Sequence, residues 1–363
     1  MSTLPDFVTL SLLPLSWRRQ IGEWLRAGRS PRSLIDDLVA RDPGAPRSIA
    51  TASSRTATVL GRATDLGIAA IAWDDPAYPL MLAAISDPPP VLWVRGNPGV
   101  LARPAVAIVG SRAGSPYSLS VAERLAADLA GQGIVVVSGL ARGVDSAAHR
   151  GAAGTGATVA VLGSGVDVVY PHEHASLAEQ IAGKGAVVSE LAPGTPPRKP
   201  FFPLRNRIIS GLSRAVVIVE AGEKSGSLIT ARAALDQGRD VLAVPGNVLS
   251  GRNRGGHALL RDGARIVETA EDVLEELGGG WQGARDPGRP LTTSNSSGLT
   301  ASAAPPDPVL DSLLPGEACD LDVIAVRTGL PVARILPRLL TLELEGRVVR
   351  AGGGRFVRFD RSC

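Results

Sequence analysis

Cysteine, histidine and aromatic residues are all scarce in this sequence of 363 residues. The two cysteines, Cys319 and Cys363, lie far apart, so they supply neither a disulfide framework nor a zinc-binding spacing. The four histidines form no HExxH pattern, and the sequence holds no metal-ligand cluster. We therefore predict that the protein binds no metal ion, and its cysteine usage fits a reducing compartment.

Long apolar runs are also lacking, since none approaches the roughly 18 residues that a membrane-spanning helix requires. The first residues do not join a basic segment to an apolar one, which is the pattern of a signal peptide. The net charge of +3 is a mild basic bias that does not by itself indicate nucleic-acid binding. We expect a cytoplasmic, soluble protein with no membrane partner.

The motifs of common cofactor-binding and hydrolytic enzymes are missing as well. No GxGxxG follows the first strand predicted below, and no GxxxxGK[ST] loop occurs, which disfavours NAD-dependent enzymes and P-loop NTPases. No GxSxG nucleophile elbow is present. We predict that the protein uses no cofactor and is not an enzyme.

Apolar periodicity divides the larger part of the chain into three regions. Residues 1–70 carry apolar residues at helical spacing and predict a small helical domain. Residues 71–104 are proline-rich and are interpreted as a segment that leads into the next domain. In residues 105–277, apolar runs of strand length alternate with helical stretches, which indicates a doubly wound, mainly parallel α/β sheet. The six runs are Val106–Val109, Ile134–Val137, Thr158–Leu162, Ala186–Val188, Val216–Val219 and Val241–Val244.

The remaining chain has a different composition. Residues 278–306 are rich in Gly, Pro, Ser and Thr, which predicts a flexible linker. In residues 307–363, helices are expected at Asp320–Thr328 and Val332–Leu344, followed by two short strands. Helix, turn, helix and hairpin is the order of a winged helix. Pro337 falls inside the second helix, so we expect that helix to bend or to begin later.

Small-residue loops follow several of the predicted strands. In a parallel sheet these loops open on one edge, where ligands bind. Gly110-Ser111-Arg112 follows the first strand and Arg142-Gly143 lies in the loop after the second. A single glycine there is more commonly a tight turn, and a local hydrogen bond is the commoner role for Asp145 and His149. Convergence of these loops with several cations nevertheless predicts an anion site.

The segment Phe201–Thr230 combines an aromatic pair, the basic triplet Arg205-Asn206-Arg207 and the loop Lys224-Ser225-Gly226-Ser227 before a predicted helix. A basic groove with an aromatic platform binds single-stranded nucleic acid without sequence preference. We predict that Phe202 contacts a base and that Phe201 belongs to the core. For the triplet, two interpretations stay open: contact with the ligand, or support of the loop geometry.

Long motifs in the chain resemble the DNA-processing protein A family, also called DprA or Smf. The resemblance covers about residues 75–275 and is carried by VAIVGSR (106–112), SGLARGVDSAAHRG (138–151), FPLRNRII (202–209), SGSLITA (225–231) and AVPG (243–246). The segment 307–360 is similar to the winged helix in which many family members end.

The resemblance implies a non-catalytic recombination mediator that protects incoming single-stranded DNA and helps to load the RecA recombinase during natural transformation. It further implies an extended Rossmann-like fold for residues 105–277 and a SAM-like fold for the N-terminal helical domain. A homodimer is also implied, with single-strand-binding protein as an additional candidate partner. The site residues that it and the loops above together predict are Gly110, Ser111, Arg112, Arg142, Gly143, Lys199, Phe202, Arg205, Asn206, Arg207, Lys224, Ser225, Gly226 and Ser227.

Two other functions are considered. The same superfamily contains nucleotide phosphoribohydrolases, whose signature loop PGGxGTxxE carries a catalytic Glu. The corresponding loop here, KSGSLITA, has no carboxylate at that position. The winged helix could instead make the protein a duplex-binding transcription factor, but its recognition helix offers just Arg334 and Arg338 as cations.

Overall fold

This computed structural model describes residues 3–278, 307–313, 318–344, 347–351 and 355–358. The chain divides into two compact units, Met1–Pro287 and Gly288–Cys363. The predicted linker at 278–306 lies outside the described residues except for Gly278. Within the described part of the chain, no helix is both long enough and apolar enough to traverse a lipid bilayer.

The first unit is built on a nine-stranded sheet. Its strands are β1 (Ala69–Ala72), β2 (Val91–Gly96), β3 (Ala105–Val109), β4 (Val135–Ser138), β5 (Thr158–Val161), β6 (Ala186–Ser189), β7 (Ala215–Ile218), β8 (Asp240–Ala243) and β9 (Arg265–Ile266). They lie in the order β1-β2-β6-β5-β4-β3-β7-β8-β9. The pairs β1–β2 and β2–β6 are antiparallel, and the other neighbouring pairs are parallel. The predicted mainly parallel sheet is therefore confirmed.

Helices cover the sheet on both faces. They are α1 (Leu4–Ser11), α2 (Arg18–Arg26), α3 (Pro31–Arg41), α4 (Ala45–Asp65), α5 (Leu80–Ala83), α6 (Pro116–Gly131), α7 (Val144–Thr155), α8 (Ala175–Lys184), α9 (Phe201–Gly211), α10 (Ser227–Asp236), α11 (Arg254–Arg261) and α12 (Ala270–Glu276). Successive side chains of a strand point to opposite faces. Accordingly, Val106 and Ile108 of β3 pack with α6 and α7, while Ala107 and Val109 pack with α9 and α10.

The strand order places a topological switch point beside β3. From β3 the chain continues to β4, β5 and β6 on one side, and then returns to β7 on the other side. The β3–β7 register pairs Val106 with Ala215 and Val109 with Ile218, so both strands end at the same level. Ligands of open α/β sheets bind in the crevice at such a point.

The N-terminal helices pack directly onto this sheet. Leu34 of α3, Trp93 of β2 and Leu162 after β5 belong to one buried cluster, so apolar packing continues across the predicted boundary at residue 70. The segment 71–104, interpreted from the sequence as a connection, supplies β2 and the end of β1 to the sheet. Its strand-like run VLWVRG pairs with β6, a strand about ninety residues further along the chain. That long-range pairing is not visible in local apolar periodicity.

The second unit has the predicted order of elements. It contains α13 (Pro308–Asp311), β10 (Ala318–Cys319), α14 (Leu321–Thr328), α15 (Val332–Leu344), β11 (Val348–Ala351) and β12 (Arg355–Arg358). The strands form an antiparallel sheet in the order β10-β12-β11. Gly329 ends α14 with a φ of +66°, a left-handed conformation that glycine adopts without a Cβ penalty. Of the two alternatives expected for α15, the later start is wrong, because the helix begins at Val332 and includes Pro337, and the bend stays a prediction.

Candidate functional site

A cavity of about 610 Å³ opens at the switch point. Its walls come from the loop after β3, the start of α7, the first turns of α9 and the loop that leads into α10. Of the predicted site residues, ten line it: Gly110, Ser111, Arg112, Phe202, Arg205, Asn206, Lys224, Ser225, Gly226 and Ser227. The structure therefore brings together residues that are more than one hundred positions apart in the sequence.

The loop after β3 presents Arg112 to solvent at the cavity. A Cβ on Gly110 would stand 2.8 Å from the Cγ2 atom of Val144, so this position packs closely against α7. The Val144 amide donates a hydrogen bond to the carbonyl oxygen of Ser111 (3.2 Å). The loop is thereby held on α7, and the Arg112 guanidinium lies 5.6 Å from the centroid of the Phe202 ring, a cation–π distance.

Two predicted residues of the second loop lie outside the cavity lining. Gly143 has a φ of +77°, and a Cβ there would be 2.2 Å from the carbonyl oxygen of Ser111, so it supports the Arg112 loop from behind. The Arg142 guanidinium donates hydrogen bonds of 2.6 and 2.8 Å to the two carboxylate oxygens of Glu173. Arg142 lines a smaller neighbouring pocket instead.

Helix α9 presents one face to the cavity. Phe202, Arg205, Asn206 and Ile209 are spaced at i, i+3, i+4 and i+7, the spacing of one helix face, and all four line it. Phe202 is half-buried. The predicted assignment of Phe201 to the core is wrong, because its side chain is half-buried and lies outside the buried clusters.

Arg205 is a buried residue at the floor of the cavity. Its guanidinium donates to the carbonyl oxygens of Gly139 and Val161 and to the Asn206 Oδ1 atom, the last at 3.2 Å. Burial lowers the pKa of Arg205 to about 10, so it stays charged at neutral pH. Its Nε and Nη1 atoms donate to the protein itself and its Nη2 atom lies 3.8 Å from the Asp145 Oδ2 atom, which favours the structural interpretation of this residue.

Arg207 lies outside the lining of the cavity, in contrast to its prediction as a site residue. It is buried, forms an ion pair with Glu190, and its Nε atom is 3.1 Å from the Oδ2 atom of Asp87. The physical reason is its place on α9, since it is two residues past Arg205 and points away from the face that meets the cavity. Lys199 is exposed just before α9 and also lies outside the lining.

Asp145 and His149 have separate partners. The Asp145 carboxylate accepts hydrogen bonds from the amides of Gly139 (3.1 Å) and Ala141 (3.4 Å), and burial raises its pKa. The His149 Nδ1 atom is 2.7 Å from the Thr158 hydroxyl, and burial lowers the pKa of His149 to about 3. The Asp145 bonds are therefore local, within the loop that leads into α7, whereas His149 bonds to β5.

The loop before α10 closes the cavity opposite Arg112. Lys224 is exposed, and the hydroxyls of Ser225 and Ser227 are 2.8 Å apart. The Asn206 side-chain amide donates to the carbonyl oxygen of Gly226 (3.3 Å), which ties this loop to α9. The cavity thus combines two exposed cations, one aromatic ring and small polar side chains, a set that suits an anion joined to a flat ring.

Sequence reasoning missed several residues of the wall. Among them are Ala141, Pro203, Ile209, Ile229 and Thr230. Ile209 follows Phe202 by seven residues on α9, and Thr230 follows Ser227 by three residues on α10, so helical spacing is the signal that could have identified these two. Ala141 carries no such signal, because it reaches the wall through the position of the loop after β4.

Family models match both units of the chain. The model for DNA recombination-mediator protein A matches residues 69–278, and the model for the DprA winged helix domain matches residues 295–354. The protein Smf of Escherichia coli is 41% identical over 294 residues, which cover 80% of this chain and 77% of that protein.

Two solved structures share the fold. The X-ray structure of DNA processing protein A from Streptococcus pneumoniae is 34% identical with a TM-score of 0.67, covering 76% of this chain and 99% of that one. The structure described as giving insights into the single-stranded DNA binding mode of DNA processing protein A from Helicobacter pylori is 31% identical with a TM-score of 0.53, covering 58% and 95%.

Proposed function

Because this chain belongs to the DNA recombination-mediator protein A family, we propose that it binds single-stranded DNA in the cavity between β3 and β7. The observation that carries the proposal is the position of the Arg112 guanidinium 5.6 Å from the Phe202 ring in a cavity that Lys224 also lines. The relative from Helicobacter pylori is itself described as binding single-stranded DNA. Cations at the opening suit the phosphates of a single strand, and an aromatic ring at the same opening suits its bases.

Each group in the cavity receives a different part of the strand. Arg112 and Lys224 are exposed and neutralise phosphate charge, and Ser225 and Ser227 offer hydroxyls to phosphate oxygens. Phe202 stacks on a base, a contact worth about 1–3 kcal/mol in comparable proteins. Lys199 is exposed three residues before Phe202, where it meets the backbone as the strand leaves the cavity. Such contacts make binding independent of base sequence.

The wider role follows from family membership. The protein would protect incoming single-stranded DNA and help to load the RecA recombinase during natural transformation, acting in the cytoplasm as a homodimer. Single-strand-binding protein, which occupies the same kind of DNA, is a further candidate partner. These parts of the proposal rest on what mediators of this family do, and not on the geometry of the cavity.

The cavity gives little support to an enzymatic alternative. Of the residues described as its lining, Asp145 is the acidic one. Its carboxylate already accepts two backbone hydrogen bonds, and its Oδ2 atom lies 3.8 Å from the Arg205 Nη2 atom. Glu190 is buried in an ion pair with Arg207 outside the lining. We therefore propose a binding protein without phosphoribohydrolase activity, and expect no base release from nucleoside monophosphates.

A binding titration with single- and double-stranded oligonucleotides at two salt concentrations tests the proposal. We expect preference for the single strand, with affinity falling by about 0.7 log unit per log unit of salt for each phosphate contacted. Arg112→Ala should weaken binding and flatten that slope because one phosphate contact is lost. Arg19→Ala is the matched control, since Arg19 is exposed, pairs with Glu23 and lies outside the lining.

Two results would contradict the proposal. Equal affinity for duplex and single-stranded DNA would contradict the proposed function. An Arg112→Ala variant with the affinity and salt slope of the parent protein would contradict the proposed binding site.

A further inference from the structure

A second pocket of about 70 Å³ adjoins the cavity. It shares Arg112, Phe202 and Arg205 with the cavity and adds Tyr170 and Arg142. Phe202 therefore stands between the two openings and faces both. The volume is small, but a flat ring needs little depth when one of its faces stays open to solvent.

The second pocket contains another aromatic side chain, Tyr170, which lies beside Phe202. The ring centroids of Tyr170 and Phe202 are 5.4 Å apart with an interplanar angle of 42°, and Tyr170 is 44% exposed. Gly163 packs closely against Phe202, since a Cβ at Gly163 would come within 3.0 Å of the Phe202 Cδ1 atom. An aromatic ring this exposed is notable in a chain with an aromatic content of 4%. The two rings form one continuous aromatic surface that runs from the cavity into the pocket.

A charged pair borders the far side of this surface. Arg142 lines the pocket, and two hydrogen bonds to Glu173 fix the plane of its guanidinium. The same bonds lower the pKa of the Glu173 carboxyl, so Glu173 is ionised and offsets the charge of Arg142. A phosphate that reaches Arg142 must share the guanidinium with Glu173 or displace it.

We propose that Tyr170 and Phe202 together stack two successive bases and lead the strand from the cavity into the pocket, where Arg142 binds the next phosphate under competition from Glu173. The inference rests on the proposed single-strand function and adds a second base position to it. Tyr170 supplies affinity for longer strands, and Glu173 limits that affinity.

Titrations with fluorescein-labelled oligothymidylates of increasing length test the aromatic surface. Tyr170→Ala should weaken binding about 5- to 100-fold for strands long enough to reach both rings, and Tyr170→Phe should retain parental affinity. Strands that fill the cavity alone should bind both variants as they bind the parent. Tyr117→Ala is the matched control, because Tyr117 is 54% exposed at the same sheet edge and lines neither opening.

Two further measurements separate direct contact from an indirect effect. A strand carrying 5-bromodeoxyuridine should crosslink to Tyr170 on irradiation, as mapped by mass spectrometry of the peptides. Glu173→Gln should tighten binding and steepen the salt dependence, because it releases the charge of Arg142 without touching the buried core.

The outcomes are distinguishable from failure of the proposed function. If Phe202→Ala weakens binding while Tyr170→Ala binds as the parent does at every length, the second base position is wrong and the function stands. Unchanged or weaker binding by Glu173→Gln overturns the competition at Arg142. If the parent protein does not bind single-stranded DNA, the proposed function and this inference are both wrong.

Discussion

Arg112 and Lys224 are exposed at the opening of the cavity, whereas Arg205 and Arg207 lie beneath it with 5% and 8% of their surface accessible. All four are basic residues in loops or a helix at one sheet edge. The exposed pair faces solvent and can exchange it for phosphate. The buried pair is already committed to protein oxygens, from Gly139 and Val161 for Arg205 and from Glu190 and Asp87 for Arg207.

The difference shows that a basic motif is not necessarily a contact surface. Moving a buried guanidinium toward a ligand would leave carbonyl or carboxylate oxygens without partners, which costs several kcal/mol. The exposed cations carry no such penalty, because water replaces the phosphate when the ligand leaves. Under the proposed function, the opening would supply affinity and salt dependence, and the layer beneath would supply the shape and rigidity of the floor.

The largest expected effect comes from the buried layer. Arg207→Ala should lower the free energy of unfolding by about 3 kcal/mol, because it removes one of the two guanidinium groups, those of Arg18 and Arg207, that neutralise the Glu190 and Asp87 carboxylates. Urea unfolding measures the change. Arg214→Ala is the control, since Arg214 is exposed on the same connection, and we expect a change within about 0.5 kcal/mol. Equal losses in the two variants would break the distinction between the layers.

An intermediate effect is expected from pH. The pKa of buried His149 is about 3 in the folded protein, against 6.5 for an unperturbed histidine, so the unfolded chain takes up the proton first. Stability should therefore fall as the pH drops below 6.5, with this residue contributing up to about 1.4 kcal/mol per pH unit. His149→Gln should remove that part of the slope in urea unfolding at several pH values. A variant with the parental slope would show that His149 is not held neutral.

The smallest effect is expected from the second compact unit. If the cavity opening carries single-strand binding by itself, removal of residues 307–363 should change the affinity by less than about twofold. The same oligonucleotide titration measures it. A loss of about tenfold or more would assign part of the binding to the winged helix and weaken the contrast drawn within the first unit.

Much of the fold was accessible from the sequence. Apolar runs such as Val216–Val219 predicted buried strands because an all-apolar strand is stable where both faces are covered. The two helices and the hairpin of the second unit were predicted with nearly the observed bounds. The strands of residues 69–96 were harder to predict, because β2 pairs with β6 far along the chain and the prolines of this segment resemble a connection.

The site was predictable as a set of loops, but not in the role of each side chain. Gly110-Ser111-Arg112, Phe202 and Lys224 to Ser227 follow from loops at strand ends, and the structure brings them together. The motif did not decide whether Arg205 and Arg207 contact the ligand or support the loop geometry. The position of Tyr170 beside Phe202 had no local signal, since thirty-odd residues separate the two rings in the chain.

The sequence by itself determined the local features: where strands and helices form, which loops are rich in glycine, and the motifs that mark the family. The tertiary structure decided which cations meet solvent and which meet protein oxygens. The reason is physical, because the free energy of a charge depends on its burial and on its partners. For Arg207 those partners are Asp87 and Glu190, and for Arg205 they include Val161, all brought near by strand order and helix packing.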